Sequence, residues 1–169
     1  MGNRLLTAYP RRVIEVNSIS LTYRGFMAGL AGGYVWTAIA MLLSALAGGD
    51  PLGPLRPIAL ALSPMAGSPE MAFVLGLAAV QAGGALIGVC FAYFFARFFT
   101  VRMTLAIAAP AFTLLAWGLI GGLVARDSGI VEFATHPVPA LASLGYGLVL
   151  GVGLPVRGDV TRYAGSPST

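Results

Sequence analysis

Apolar positions along this chain gather into long runs, and polar positions are swept to the ends of those runs instead of alternating with them. A bilayer core about 30 Å thick needs ~20 helical residues at 1.5 Å each, and four runs meet or approach that length. They are 25–49 ("GFMAGLAGGYVWTAIAMLLSALAGG"), 71–96 ("MAFVLGLAAVQAGGALIGVCFAYFFA"), 103–125 ("MTLAIAAPAFTLLAWGLIGGLVA") and 137–156 ("PVPALASLGYGLVLGVGLPV"). The last is short, rich in glycine and bounded by prolines. The pattern predicts an all-α fold: an integral membrane bundle of four transmembrane helices over 25–156, preceded by a segment 1–24 and followed by a tail 157–169. Between the first two runs lies a proline-rich segment, 50–70 ("DPLGPLRPIALALSPMAGSPE"), in which Pro57 can open a short helix over Ile58 to Leu62 that Pro64 ends. Proline suits a first helical turn and forbids an interior one. Irregular backbone is not tolerated against lipid, so this segment is expected at the outer interface as a half-buried turn, with a re-entrant dip as the alternative.

Composition supports the reading. Of 169 residues, 57% are hydrophobic and 9% charged, against roughly 25% charged in an ordinary soluble domain. A polar shell cannot be built from so few ionised groups. All ten basic residues are arginine, giving a formal charge of +4. They stand singly or as one pair, so they are read as a topology signal and not as a nucleic-acid surface. With four spans, one side collects Arg4, Arg11, Arg12, Arg24, Arg97, Arg102, Arg157 and Arg162 with the acids Glu15 and Asp159, and the other Arg56 and Arg126 with Asp50, Glu70, Asp127 and Glu132. Basic residues near span ends are retained in the cytoplasm. Both termini are therefore expected there, in the plasma (inner) membrane of a bacterium. Ala45-Leu46-Ala47 resembles a signal-peptidase site, but the run before it exceeds the roughly 7–15 apolar residues of a signal peptide, so a retained span is expected.

Small residues recur at helical spacing in every run: Gly25, Gly29, Gly33 and Thr37 in the first, Gly84 and Gly88 after Gln81 in the second, Ala111, Gly118 and Gly122 in the third, and Ser143, Gly147 and Gly151 in the fourth. Lipid is as apolar as leucine, so such stripes act by letting helix backbones approach. Gln81 shares the Gly84/Gly88 face and is expected to hydrogen-bond a neighbouring helix. Thr37, Gln81, Thr113 and Ser143 are the residues that could line a pathway if there is one. Trp36, Trp117 and the "FAYFFARFF" cluster are expected to face lipid or the interface, and Pro110 interrupts the hydrogen-bond ladder of the third run.

Chemistry-bearing groups are scarce. No Asp, Glu, Arg or His falls in the centre of any run, although intramembrane ionisable residues mark proton relays and ion paths. Cys90 stands alone, and no GxSxG or HExxH is present, which leaves no thiolate zinc site and no recognised hydrolase motif. His136 is the one histidine. It is expected to be solvated or to cap a helix, and is the weak candidate for an axial cofactor ligand shared with another subunit. Asp127, Glu132 and His136 lie close in sequence, but loop spacing fixes no metal geometry. No cofactor, metal site or catalytic residue is expected.

The first helix "RGFMAGLAGGYVW", the segment "DPLGPLRPIALAL" and the last helix "GYGLVLGVGLP" resemble, in pattern, small uncharacterised four-helix bacterial integral membrane proteins. The resemblance covers most of the chain and carries over no functional residue. The expected role is a non-catalytic integral membrane subunit or scaffold that packs against partner helices in a larger complex, respiratory or photosynthetic, with the lipid bilayer and partner subunits or a homo-oligomer as its contacts. A small oligomeric channel or transporter for an uncharged solute, and a cofactor binder using His136, are the alternatives.

Overall fold

The computed structural model describes residues 18–99, 101–128 and 136–154. The described residues form five α-helices and no strand: α1 (Ser18–Leu46), α2 (Arg56–Leu62), α3 (Pro69–Phe94), α4 (Arg102–Ser128) and α5 (Pro137–Gly153), with a 3-10 turn at Ala96–Phe98 after α3. Three stretches are long and apolar enough to cross a membrane, Ile19–Leu46, Pro69–Phe94 and Arg102–Ile120, and the protein is a multi-pass membrane protein. Arg4, Arg11, Arg12, Glu132, Arg157 and Arg162 lie outside the described residues.

Several helix boundaries differ from the pattern of apolar residues. α1 starts at Ser18 and not at Gly25, because hydropathy marks the depth of lipid whereas the backbone ladder continues through polar residues such as Thr22 and Arg24. α5 ends at Gly153, where Leu154 turns extended. Its 17 residues rise about 25 Å, less than the ~30 Å core. α4 runs through Pro110 to Ser128, so Asp127 stands on a helix and not in a loop.

The helix ends follow local chemistry. At the end of α1, Gly48 adopts φ +76°, with its N–H bonded to Ala45 O and the Gly49 N–H to Ser44 O, each at 3.0 Å. That is the paired bonding of a glycine-terminated helix, and the left-handed residue is one where a Cβ is unfavourable. Asp50 then fixes the loop: its side chain accepts the Leu52 N–H at 3.0 Å and pairs with Arg56 at 3.0 Å. α2 has proline in its first turn and stops at Ser63, before Pro64. Ser68 caps α3 by accepting the Met71 N–H at 3.3 Å, with Pro69 opening the helix, the position where its missing N–H costs nothing.

α1 packs on α3 and on α5, α5 packs on α4, and α2 folds back along α3. The order across the bundle is α3, α1, α5, α4. At Gly76 an added Cβ would meet Leu55 O at 2.8 Å, so the residue that precedes α2 lies directly against α3. α3 and α4 meet only sparsely, with Phe112 of α4 against Phe91 and Phe95, ring centroids 5.0 Å apart in each pair.

Candidate functional site

The α1–α3 seam is built from glycine. Gly25 lies against Gly88 O and Ala92, Gly29 against Gly84 O, and Gly88 against Gly25 O and the Gly29 backbone. The pairing 25 with 88 and 92, and 29 with 84, makes the two helices antiparallel with main chain touching main chain. One turn further along, Gly33 makes room for Gln81: an added Cβ would meet that amide at 2.8 Å. Oriented to satisfy its surroundings, the amide donates to Leu30 O at 2.9 Å and accepts from the Tyr34 N–H at 3.1 Å. These are the two ends of one helical i to i+4 pair, so Gln81 grips a rung of α1. Because that rung persists without it, Gln81→Ala is expected to cost only about 0.6 kcal/mol, the average for interhelical bonds in membranes. Unfolding in mixed micelles titrated with dodecyl sulfate measures it, and a loss of several times that figure would contradict the assignment.

Most other interior polar groups are joined as well. Trp36 Nε1 donates to Ser143 Oγ at 3.2 Å, and the Ser143 hydroxyl donates to Pro139 O at 2.8 Å. The Thr113 hydroxyl lies 2.8 Å from Ser143 O and 3.0 Å from Pro110 O. Thr37 donates to Gly33 O at 2.9 Å. The Tyr146 hydroxyl donates across to Gly84 O at 2.6 Å, while its ring fills the space beside Gly32. One turn from Ser143, Gly147 admits Pro110 and Thr113 of α4, and Gly151 admits Leu105 and Ala106.

Two expectations are corrected. Trp36 does not face lipid: it is buried, because its N–H finds the Ser143 hydroxyl in the interior, where an indole donor needs an acceptor. Phe91, expected at the lipid face with its aromatic cluster, is buried as well, 1% exposed, with its ring against Phe95 and Phe112. Gly118 meets no neighbour among the described residues, since an added Cβ there would meet nothing within 4 Å. Gly122 lies on the last part of α4, where only the helical course is described. Of the four residues considered for a pathway, Thr113 and Ser143 border the cleft described next, whereas Thr37 and Gln81 do not.

Where α3 and α4 part, a cleft of about 290 Å³ opens. Trp36 of α1, Ile58 of α2, Gly83 and Ile87 of α3, and Trp117 and Ile120 of α4 form its principal walls. Tyr146 of α5 borders it too, so every helix contributes. Trp117 Nε1 is enclosed and finds no acceptor among the described residues. The contribution of α2 could not be read from sequence, because a seven-residue helix carries no periodicity long enough to give a face. Tyr146 reaching Gly84 was equally hidden, although a tyrosine beside glycines on a membrane helix was the available signal.

His136 caps α5: Nδ1 accepts the Val138 N–H at 3.3 Å. That use leaves Nε2 as the one ring nitrogen uncommitted to the cap. Among the described residues no three His, Cys, Asp or Glu side chains are grouped as a metal site would require. No family model, curated protein or solved structure matches the chain.

Proposed function

We propose that the protein is a non-catalytic multi-pass subunit that packs against partner helices in a larger membrane complex of a bacterial plasma membrane. The observation that supports this reading is how its interior polar groups are used. Gln81, Trp36, Ser143, Thr113, Thr37 and Tyr146 all bond helix backbones or one another, which favours cohesion over transfer of a solute. Outward, α3 and α4 present Leu86, Ile107, Leu115 and Leu119, each 65–68% exposed, surfaces suited to lipid or to another apolar helix. In this reading α5 completes a fourth span, and the arginine bias puts both termini in the cytoplasm.

Native mass spectrometry of the tagged protein, extracted in mild detergent from its own membranes, tests the proposal. The expected result is co-release with other membrane subunits in fixed ratio, and a C-terminal tag protected from protease added outside spheroplasts. Release only as a homo-oligomer overturns the subunit reading, and flux in liposomes with Gln81→Leu then becomes the informative assay.

A further inference from the structure

We infer that the end of the bundle where α1 and α4 begin and α3 and α5 stop binds the headgroup of an anionic membrane phospholipid in preference to a zwitterionic one, through Arg24 and Arg102. Packing brings these two residues to one place. At the end of α5, a Cβ on Gly153 would meet Ala28 of α1 at 3.0 Å, and Arg24 stands one helical turn beyond Ala28 on the same side of α1. From the other flank Arg102, the first residue of α4, donates to Val152 O of α5 at 3.3 Å. That bond caps a helix C-terminus, where a cation is favoured, and a neutral carbonyl leaves the guanidinium its charge. Arg24 and Arg102 therefore flank the same helix end, and both are exposed.

Charge and depth select the occupant. The antiparallel seams sort the ionised residues by end: Arg24, Arg97 and Arg102 belong to this one, and no Asp or Glu does among the described residues. Asp50, Glu70 and Asp127 belong to the opposite end, where Asp50 pairs with Arg56 at 3.0 Å. Even with Glu15 and Asp159, which lie outside the described residues, arginines outnumber acids on this side of the chain. The imbalance favours an anion. Its level is set by the neighbours: Gly25, next to Arg24, opens an apolar run, and Tyr23, Tyr93 and Phe98 at the same end are exposed, as rings are where a span meets the headgroup layer. The anions of that layer are lipid phosphates, whose oxygens match the planar fork of a guanidinium. A soluble acidic partner would first have to displace those headgroups. Every phospholipid carries the phosphate, but a zwitterionic headgroup also carries a cation that the arginines repel, so lipids with net negative charge are preferred.

The full-length protein is reconstituted in vesicles of phosphatidylcholine with a minor fraction of phosphatidylglycerol and extracted in mild detergent, and the lipids it retains are identified by native mass spectrometry. The expected result for wild type is phosphatidylglycerol enriched about fivefold or more over its share of the vesicles, the attraction of one arginine near a membrane surface being worth about fivefold. Arg24→Gln should reduce the enrichment about fivefold, and Arg24→Lys, which keeps the charge, should retain most of it. Arg102→Gln should reduce it as well; if that variant loosens α5 by circular dichroism, Arg24→Gln carries the test. Arg56→Gln, at the opposite end and already paired with Asp50, should leave it unchanged. Retained lipid that mirrors the vesicle composition, or an enrichment that Arg24→Gln does not lower, overturns the proposal. Loss of the enrichment in phosphate buffer of matched ionic strength would assign the surface to free phosphate, and an acidic protein held from native membranes through Arg24 without any lipid preference would assign it to a protein; either overturns the proposal too. The inference rests on the membrane fold and stands whether or not the chain is a subunit of a complex.

Discussion

Gly88→Leu is expected to separate α1 from α3 and to destabilise the bundle by about 3 kcal/mol or more, the upper range for overpacking a site that cannot yield. What the new side chain meets is not the end of a flexible neighbour but main chain: Gly25 O on one side, and Gly29 Cα and N at 2.8 and 3.0 Å on the other. No rotamer change relieves that clash, so the helices must move apart. Separation also loosens the seats of Gln81 at Gly33 and of Tyr146 at Gly84. In lipid, association rests on close packing and hydrogen bonds because no hydrophobic drive returns displaced helices to contact. Gly118→Leu is the matched control. It adds the same side chain to a membrane helix, but at a position with open space, and its effect is expected within about 0.5 kcal/mol of wild type. Unfolding of both variants in mixed micelles, followed by circular dichroism and by Trp36 and Trp117 emission, measures the difference. Equal stability would mean that the α1–α3 seam contributes nothing specific.

The contrast between Gly88 and Gly118 also locates what the sequence could and could not convey. Both lie in apolar runs with small residues at helical spacing, and the spacing alone makes them equivalent. Only the path of the neighbouring helices separates a glycine under another backbone from one facing open space. The same holds for the two tryptophans. Composition treats them alike, yet Trp36 is tied to Ser143, a residue 107 positions away, while Trp117 Nε1 has no acceptor among the described residues. Where the determining forces are local, sequence was sufficient: the short helix opened by Pro57 and ended before Pro64 follows from residues within a few positions of it, whereas the glycine stop after α1 and the Ser68 cap of α3, equally local, were passed over because hydropathy alone set those bounds. The cleft needs α2 folded back on α3 and α4 diverging from it, and neither placement is written in any one segment.

Phe91→Ala should loosen the opposite edge of the bundle and widen that cleft. Phe91 is 1% exposed and its ring lies 5.0 Å from Phe112 of α4 and 6.0 Å from Phe95. Removing it deletes two aromatic contacts, each worth about 0.5–1.5 kcal/mol, and leaves a void whose lining loses contacts in addition. A total loss of about 2–4 kcal/mol follows from those terms. The structural consequence is sharper than the energetic one. α3 otherwise meets α4 sparsely, each being held by its own partner, α1 for the first and α5 for the second. Without the Phe91 ring, little sets the distance between them. Spin labels at Leu86→Cys and Leu119→Cys, both at lipid-exposed positions, placed in a Cys90→Ser background, report it directly. Phe91→Ala is expected to shift the distance distribution longer and broaden it. An unchanged distribution would instead assign the α3–α4 spacing to the two glycine seams acting through α1 and α5, and would make the aromatic cluster a filler between helices that are already fixed.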